Sequence, residues 1–216
     1  MSLIHAFDAA PQALFASGGD PCEGLGVRMS FAKDEEVYGQ DEDADMIYRV
    51  VSGVVRTSRV MGDGRRQIGE FYYPGELFGL ETGPEHRFAA EALSDCVILV
   101  IRRQSLRAAG HGPALEALIW AATVRELERT REHLLLLGRK TACEKVASFL
   151  VDLADRGVSE TIDLPMGRQD MADYLGLTIE TVSRMLTQLQ SRAVVEFAGA
   201  RQFRVSNRDA LERLAA

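Results

Sequence analysis

Glu180, Ser183 and Arg184 lie within five positions of one another and carry hydrogen-bonding groups that suit the edges of nucleic-acid bases. A guanidinium offers parallel N–H donors to guanine O6 and N7, an ionised carboxylate accepts from cytosine N4, and a hydroxyl meets either a donor or an acceptor. Glu180 and Arg184 are one helical turn apart, so both project from the same part of a helix. An acid and a base four apart are also common on any exposed helix, where they form a surface ion pair. The surrounding elements must decide between the two readings.

Those surroundings spell two short helices within residues 164–190. In the first, Met171, Ala172 and Leu175 share an apolar face, with Arg168, Gln169, Asp170 and Asp173 largely on the other. Gly176 supplies a turn, Leu177 packs beneath it, and Thr178 sits where its hydroxyl caps the second helix. Along that helix Ile179, Val182, Leu186 and Leu189 recur at 3-4-3 spacing and are predicted to be buried, leaving Glu180, Thr181, Ser183, Arg184 and Thr187 outward. This is the pattern of a helix-turn-helix whose second helix enters the DNA major groove. Ala193–Phe197 and Gln202–Val205 flank Gly199 as a hairpin, the wing of a winged helix. Base reading is assigned to Glu180, Ser183 and Arg184. Phosphate contact or positioning is assigned to Arg168, Thr178, Thr181 and Arg201, with Arg204 a second candidate on the wing.

At 216 residues and 46% hydrophobic content the chain is long enough for two modest cores. The net charge of −7 is unusual for a DNA binder, but it is unevenly placed. Residues 1–138 hold 14 Lys/Arg against 21 Asp/Glu, whereas residues 139–216 hold 11 of each. The C-terminal part can present a basic face if its arginines cluster, and its affinity is predicted to be salt-sensitive with weak non-specific binding. No apolar run reaches membrane-spanning length, and Met1–Asp8 lacks a basic stretch followed by a long apolar one, so neither a span nor a secretory signal is expected. Three widely spaced cysteines, Cys22, Cys96 and Cys143, suit a reducing compartment, and the cytoplasm is the expected location. Cys22 is a candidate for exposure and Cys143 for the core.

Upstream, Glu36–Tyr38, Met46–Val51, Gly53–Val60, Arg66–Tyr73, Arg87–Leu93 and Cys96–Arg102 read as short strands between glycine-containing turns, suggesting a small sandwich or jelly roll. Pro113 opens a helix predicted to run to Leu137, about 25 residues or about 37 Å. Trp120, Val124, Leu127 and Leu134 make a coiled-coil seam on it, with Arg131 a polar interruption. Gly138 is predicted to end this helix and serve as the hinge.

Leu177-Thr-Ile-Glu-Thr-Val-Ser-Arg184 resembles the Fnr and FixK branch of the Crp/Fnr superfamily of bacterial transcription regulators. Tyr48–Arg56, Asp63–Ile68, Tyr73–Gly79 and Arg87–Ala92 are similar, in order and spacing, to that family's sensor β-roll. The resemblance covers roughly residues 27–205 and implies an α+β fold: an N-terminal double-stranded β-helix, or jelly roll, like a cyclic-nucleotide-binding domain, then a long dimerisation helix and a C-terminal winged helix-turn-helix. Divisions at 1–110, 111–138 and 139–216 follow. In the branch, Glu-x-x-Ser-Arg reads TTGAT half-sites, which implies a homodimer on TTGAT-N4-ATCAA-like double-stranded DNA. Two recognition helices about 34 Å apart match one turn of DNA and call for such a palindrome. The resemblance also implies activation under low oxygen and contact with RNA polymerase through Arg156–Glu160 and Gly62–Arg65, with Asp63, Arg156 and Ser159 the named candidates.

Relatives that bind cyclic nucleotides place Gly-Glu-Leu at the ribose and Arg-Ser at the phosphate. Here Leu80 follows Gly79 and Phe88 follows Arg87, so a nucleotide is disfavoured. A [4Fe–4S] cluster needs four thiolates and the chain has three. His5, His86, His111 and His133 share no ligand spacing, His133 reading instead as a partner of a helix C-terminus. No cofactor, metal or catalytic residue is predicted. A β-roll that receives an unidentified ligand is the alternative, and a cupin-like enzyme is disfavoured because clustered metal-binding histidines are missing.

Overall fold

The computed structural model describes residue 22 and residues 24–108, 113–157 and 159–216. His5, His111 and the N-terminal Met1–Asp8 lie outside the described residues. The first part is built of β1 (Gly26–Phe31), β2 (Glu36–Tyr38), β3 (Met46–Ser52), β4 (Val55–Val60), β5 (Arg66–Tyr72), β6 (Leu77–Phe78), β7 (Ala89–Ala92) and β8 (Cys96–Arg102). They form two four-stranded sheets, β1-β8-β3-β6 and β2-β7-β4-β5. The β1/β8, β3/β8, β3/β6 and β2/β7 pairs are antiparallel.

The predicted strands lie within two residues of six of these. Sequence reading missed β1 and β6. The apolar positions Val27 and Met29 of β1 are 68% and 47% exposed, so this edge strand buries no alternating face and is held by its ladder to β8.

Packing divides the chain into two compact units. The first comprises the described residues up to Val55 together with Phe71–Glu126. One of its cores gathers side chains from both sheets, including Phe31, Tyr38, Tyr48, Val50, Phe78 and Ile98. A second joins Cys22, Ile47, Leu77, Leu99 and Ile101 to Leu115 of the long helix, with Leu80, Ile119 and Ala122 packed against it. Cys22 is therefore buried, not exposed as predicted, because it lies under this apolar cluster.

The helices are α1 (Arg103–Ala108), α2 (Pro113–Arg139), α3 (Ala142–Arg156), α4 (Arg168–Leu175), α5 (Ile179–Ser191) and α6 (Arg208–Ala215). Arg56–Glu70 and Leu127–Ala216 make up the second unit. In it β9 (Thr161–Asp163), β10 (Val195–Phe197) and β11 (Gln202–Val205) form an antiparallel sheet of order β10-β11-β9.

Gly138 does not end α2, which continues to Arg139. The break follows at Lys140, because Thr141 opens α3 with a reciprocal cap. The Thr141 N–H donates to Glu144 Oε2 at 2.7 Å and the Glu144 N–H to Thr141 Oγ1 at 3.4 Å. Cys143 is half-buried on that helix instead of lying in its core. Among the described residues no helix is long and apolar enough to cross a membrane.

Candidate nucleic-acid interface

α4 and α5 form the predicted helix pair. Gly176 closes α4 with φ +61° and ψ +43°, the left-handed region where a side chain is disfavoured, and its N–H reaches Ala172 O. The buried ammonium of Lys145 on α3 donates to Leu175 O at 3.1 Å, satisfying another terminal carbonyl. Thr178 then caps α5, its Oγ1 accepting from the Thr181 N–H at 3.3 Å and donating to Thr181 Oγ1 at 3.1 Å.

The inward faces fill as predicted at Met171, Ala172, Leu175, Val182, Leu186 and Leu189, all buried. Two expectations fail. Ile179 is 38% exposed, because the first residue of a helix has no preceding turn to cover it. Asp170 is buried instead of facing outward. Its Oδ2 accepts the Gly167 N–H at 3.1 Å, and its Oδ1 receives Arg56 Nη1 at 2.8 Å and Arg66 Nη2 at 2.7 Å. Nothing local to α4 announces Arg56 or Arg66, partners more than 100 residues away in the chain.

The outer face brings the predicted set together. Arg168 Nη1 donates to Ser183 Oγ at 3.3 Å, joining α4 to the middle of α5. Glu180 is exposed, and its own amide and the Thr178 hydroxyl hold its carboxyl below the ordinary range, so it is an acceptor at neutral pH. Arg184 is exposed, and among the described residues neither it nor Glu180 is in an ion pair. The ordinary surface pair that their spacing allows is not made, which leaves the guanidinium fork and the carboxylate available to an external partner. In the wing, Arg201 Nη1 donates to Pro165 O at 2.8 Å. Arg204 Nη2 meets Glu196 Oε2 at 2.6 Å and is committed within the hairpin.

Along α2, Trp120, Leu127 and Leu134 are 71%, 49% and 71% exposed at seven-residue intervals, Arg131 is exposed and Val124 half-buried. His133 partners a helix end, but that of α4 and not of its own helix: half-buried, it bonds the last-turn carbonyl Tyr174 O at 2.8 Å and stacks on the Tyr174 ring. Burial outweighs that bond and keeps its pKa below the ordinary histidine value. Asp63 and Arg65 pair across the exposed β4–β5 turn, Arg156 pairs with Asp152, and Ser159 Oγ accepts from the Thr161 N–H.

In the β-roll, Glu81 Oε1 accepts the Arg87 N–H at 3.0 Å, so the carboxylate nearest the expected ribose position closes its own loop. The adjacent His86 is buried and stacks on Tyr38 at 3.7 Å between ring centres.

Residues 144–214 match the Crp-like helix-turn-helix domain family, and residues 28–110 match the cyclic nucleotide-binding domain family. The nitrogen fixation regulation protein FixK of Azorhizobium caulinodans is 50% identical over 198 residues, covering 88% of this chain and 79% of that one. The chain belongs to the FixK branch of the Crp/Fnr transcription regulators. FixK of Rhizobium meliloti is 39% identical over 215 residues, 98% of this chain and 99% of its own. The solved structure of FixK2 from Bradyrhizobium japonicum superposes with a TM-score of 0.83 at 49% identity, covering 89% of this chain and 98% of that one. This FixK-type regulator is thus a DNA-binding protein and not an enzyme.

Proposed function

We propose that this FixK-type regulator is a cytoplasmic homodimeric activator that reads TTGAT-N4-ATCAA-like palindromes with no small-molecule effector. Its relatives' role in nitrogen fixation regulation supports a place in low-oxygen gene control. Glu180, Ser183 and Arg184 read bases, while Arg168, Thr178, Thr181 and Arg201 position the helix pair or meet phosphate. The observation that carries this reading is the exposed Arg184 beside an ionised Glu180 with no ion pair between them.

The apolar stripe Trp120–Leu127–Leu134, with Val124 and Arg131, supports dimerisation through α2. Effector independence draws on the apolar packing of Leu115, Leu118, Ile119 and Ala122 of α2 against Ile47, Leu77 and Leu99 of the β-roll. Functionally the chain divides into a sensor-like β-roll (1–110), a dimer helix (111–138) and a DNA-binding part (139–216). Asp63, Arg156 and Ser159, on exposed turns or helix ends, are assigned to RNA polymerase contact.

A second reading, a β-roll that binds an unidentified ligand, draws on the cyclic nucleotide-binding family match. Fluorescence anisotropy of the purified protein without additives separates them, titrated onto TTGAT-N4-ATCAA and TGTGA-half-site duplexes at two salt concentrations. Tight, TTGAT-selective binding is expected; binding to neither would favour a β-roll awaiting a ligand.

A further inference from the structure

The β4–β5 hairpin belongs to the β-roll by its strands, yet Arg56–Glu70 packs within the same unit as the helix-turn-helix. The contact is made by charge. Asp170 Oδ1 takes two guanidinium donors, from Arg56 at 2.8 Å and Arg66 at 2.7 Å. Arg66 also clasps Asp173 Oδ2, from Nε at 2.8 Å and Nη2 at 2.7 Å. Gln67 Nε2 donates to Tyr174 O at 3.3 Å, so Asp170, Asp173 and Tyr174 of α4 are all touched from one hairpin. The side chains of Arg56, Asp170 and Asp173 are only 12%, 11% and 13% exposed. Charge removed from water to this extent persists only when it is paired and geometrically fixed, which distinguishes the cluster from a loose surface bridge.

The second half of Asp170 makes the cluster directional. Its Oδ2 caps α4 at Gly167, so the carboxylate that the arginines hold also fixes where α4 begins. α4 in turn carries Arg168, whose guanidinium reaches Ser183 on the base-reading face of α5.

We infer that Arg56 and Arg66 are positioning residues for DNA reading, acting through Asp170 and Asp173 to hold α4, and with it Arg168 and α5, in binding geometry. The lock consists of the chain's own side chains, a deepening that rests on the reading of this regulator as effector-independent. Neither arginine is assigned contact with DNA; Arg66 spends its fork on two carboxylates and Arg56 donates to one.

The test is a double-mutant cycle in the full-length protein, Arg66→Ala, Asp173→Ala and both together, with Arg56→Met as a further variant. Affinity is read by anisotropy on any duplex that the wild type binds, at several salt concentrations, and amide hydrogen exchange over residues 168–176 is read without DNA. Arg66→Ala is expected to weaken binding at least tenfold and to speed exchange across α4. The slope of log affinity against log salt should stay unchanged, and the double variant should lose little more than either single one. Unchanged affinity, additive losses, or a slope reduced by about one with normal exchange would overturn the inference, the last because Arg66 would then be a phosphate contact. Should Arg66→Ala not fold, Arg66→Lys keeps the charge without the fork and is read by the same criteria. Failure of the proposed half-site or of effector independence appears in the wild-type titration, whereas failure of the lock appears only in the variant-to-wild-type ratio and the exchange rates.

Discussion

Replacing Gly176 by alanine isolates the backbone requirement of the helix-turn-helix. The residue sits at φ +61°, and a Cβ there would lie 3.2 Å from Leu137 Cδ2. Forcing an L-residue into the left-handed region costs about 1–2 kcal/mol. Alanine returns about 0.4–1 kcal/mol by restricting the unfolded chain. The Leu137 contact is tight by a few tenths of an ångström and involves the tip of a half-buried side chain that can turn aside. The difference of the two mid-range values gives a net expected loss of about 0.8 kcal/mol. Gly176→Asn carries the same Cβ but tolerates the left-handed region, so its loss should be distinctly smaller. Urea denaturation of the three proteins, followed by circular dichroism, reads the difference as a shift of midpoint at constant slope. An alanine variant as stable as wild type, or an asparagine variant equally damaged, would refute the argument that φ is what this position demands.

Leu127→Asp places a charge in the exposed stripe of α2 and is expected to give monomers by analytical ultracentrifugation that lose palindrome binding through lost avidity; an intact dimer would mean that α2 does not pair there. His133 provides a pH test. Its folded pKa lies below the ordinary value, so the unfolded chain takes up the proton first. Its contribution to stability is then present above about pH 6.5 and is lost as pH falls towards the folded pKa. His133→Gln should flatten the fall in stability between about pH 7.5 and 5.5 relative to wild type, and an unchanged profile would show that the ring does not titrate on unfolding.

What the sequence made readable was local. Gly176 and Thr178 announce their roles through backbone and capping chemistry within a few residues, and the structure places both as read. The outer face of α5 follows from helical period alone, whereas Ile179 escapes its period because it stands at the helix's first position. β6 and β9 are two and three residues long, too short for any alternation to register, and exist through pairing with β3 and β11. Asp170 shows the limit most clearly. On its helix it reads as an outward acid, and only the fold delivers the two arginines that make its burial possible.

The proposed reading of sequence by α5 rests on a small set of side chains led by Arg184. It is tested most directly by measuring wild type and Arg184→Ala on TTGAT-N4-ATCAA duplexes carrying each single base-pair replacement in one half-site. The expected result is a loss of about 1–3 kcal/mol, roughly 5- to 160-fold, confined to one guanine-containing base pair at which the variant no longer discriminates. An equal loss on every duplex, with discrimination intact at all positions, would contradict it and reduce Arg184 to a phosphate contact.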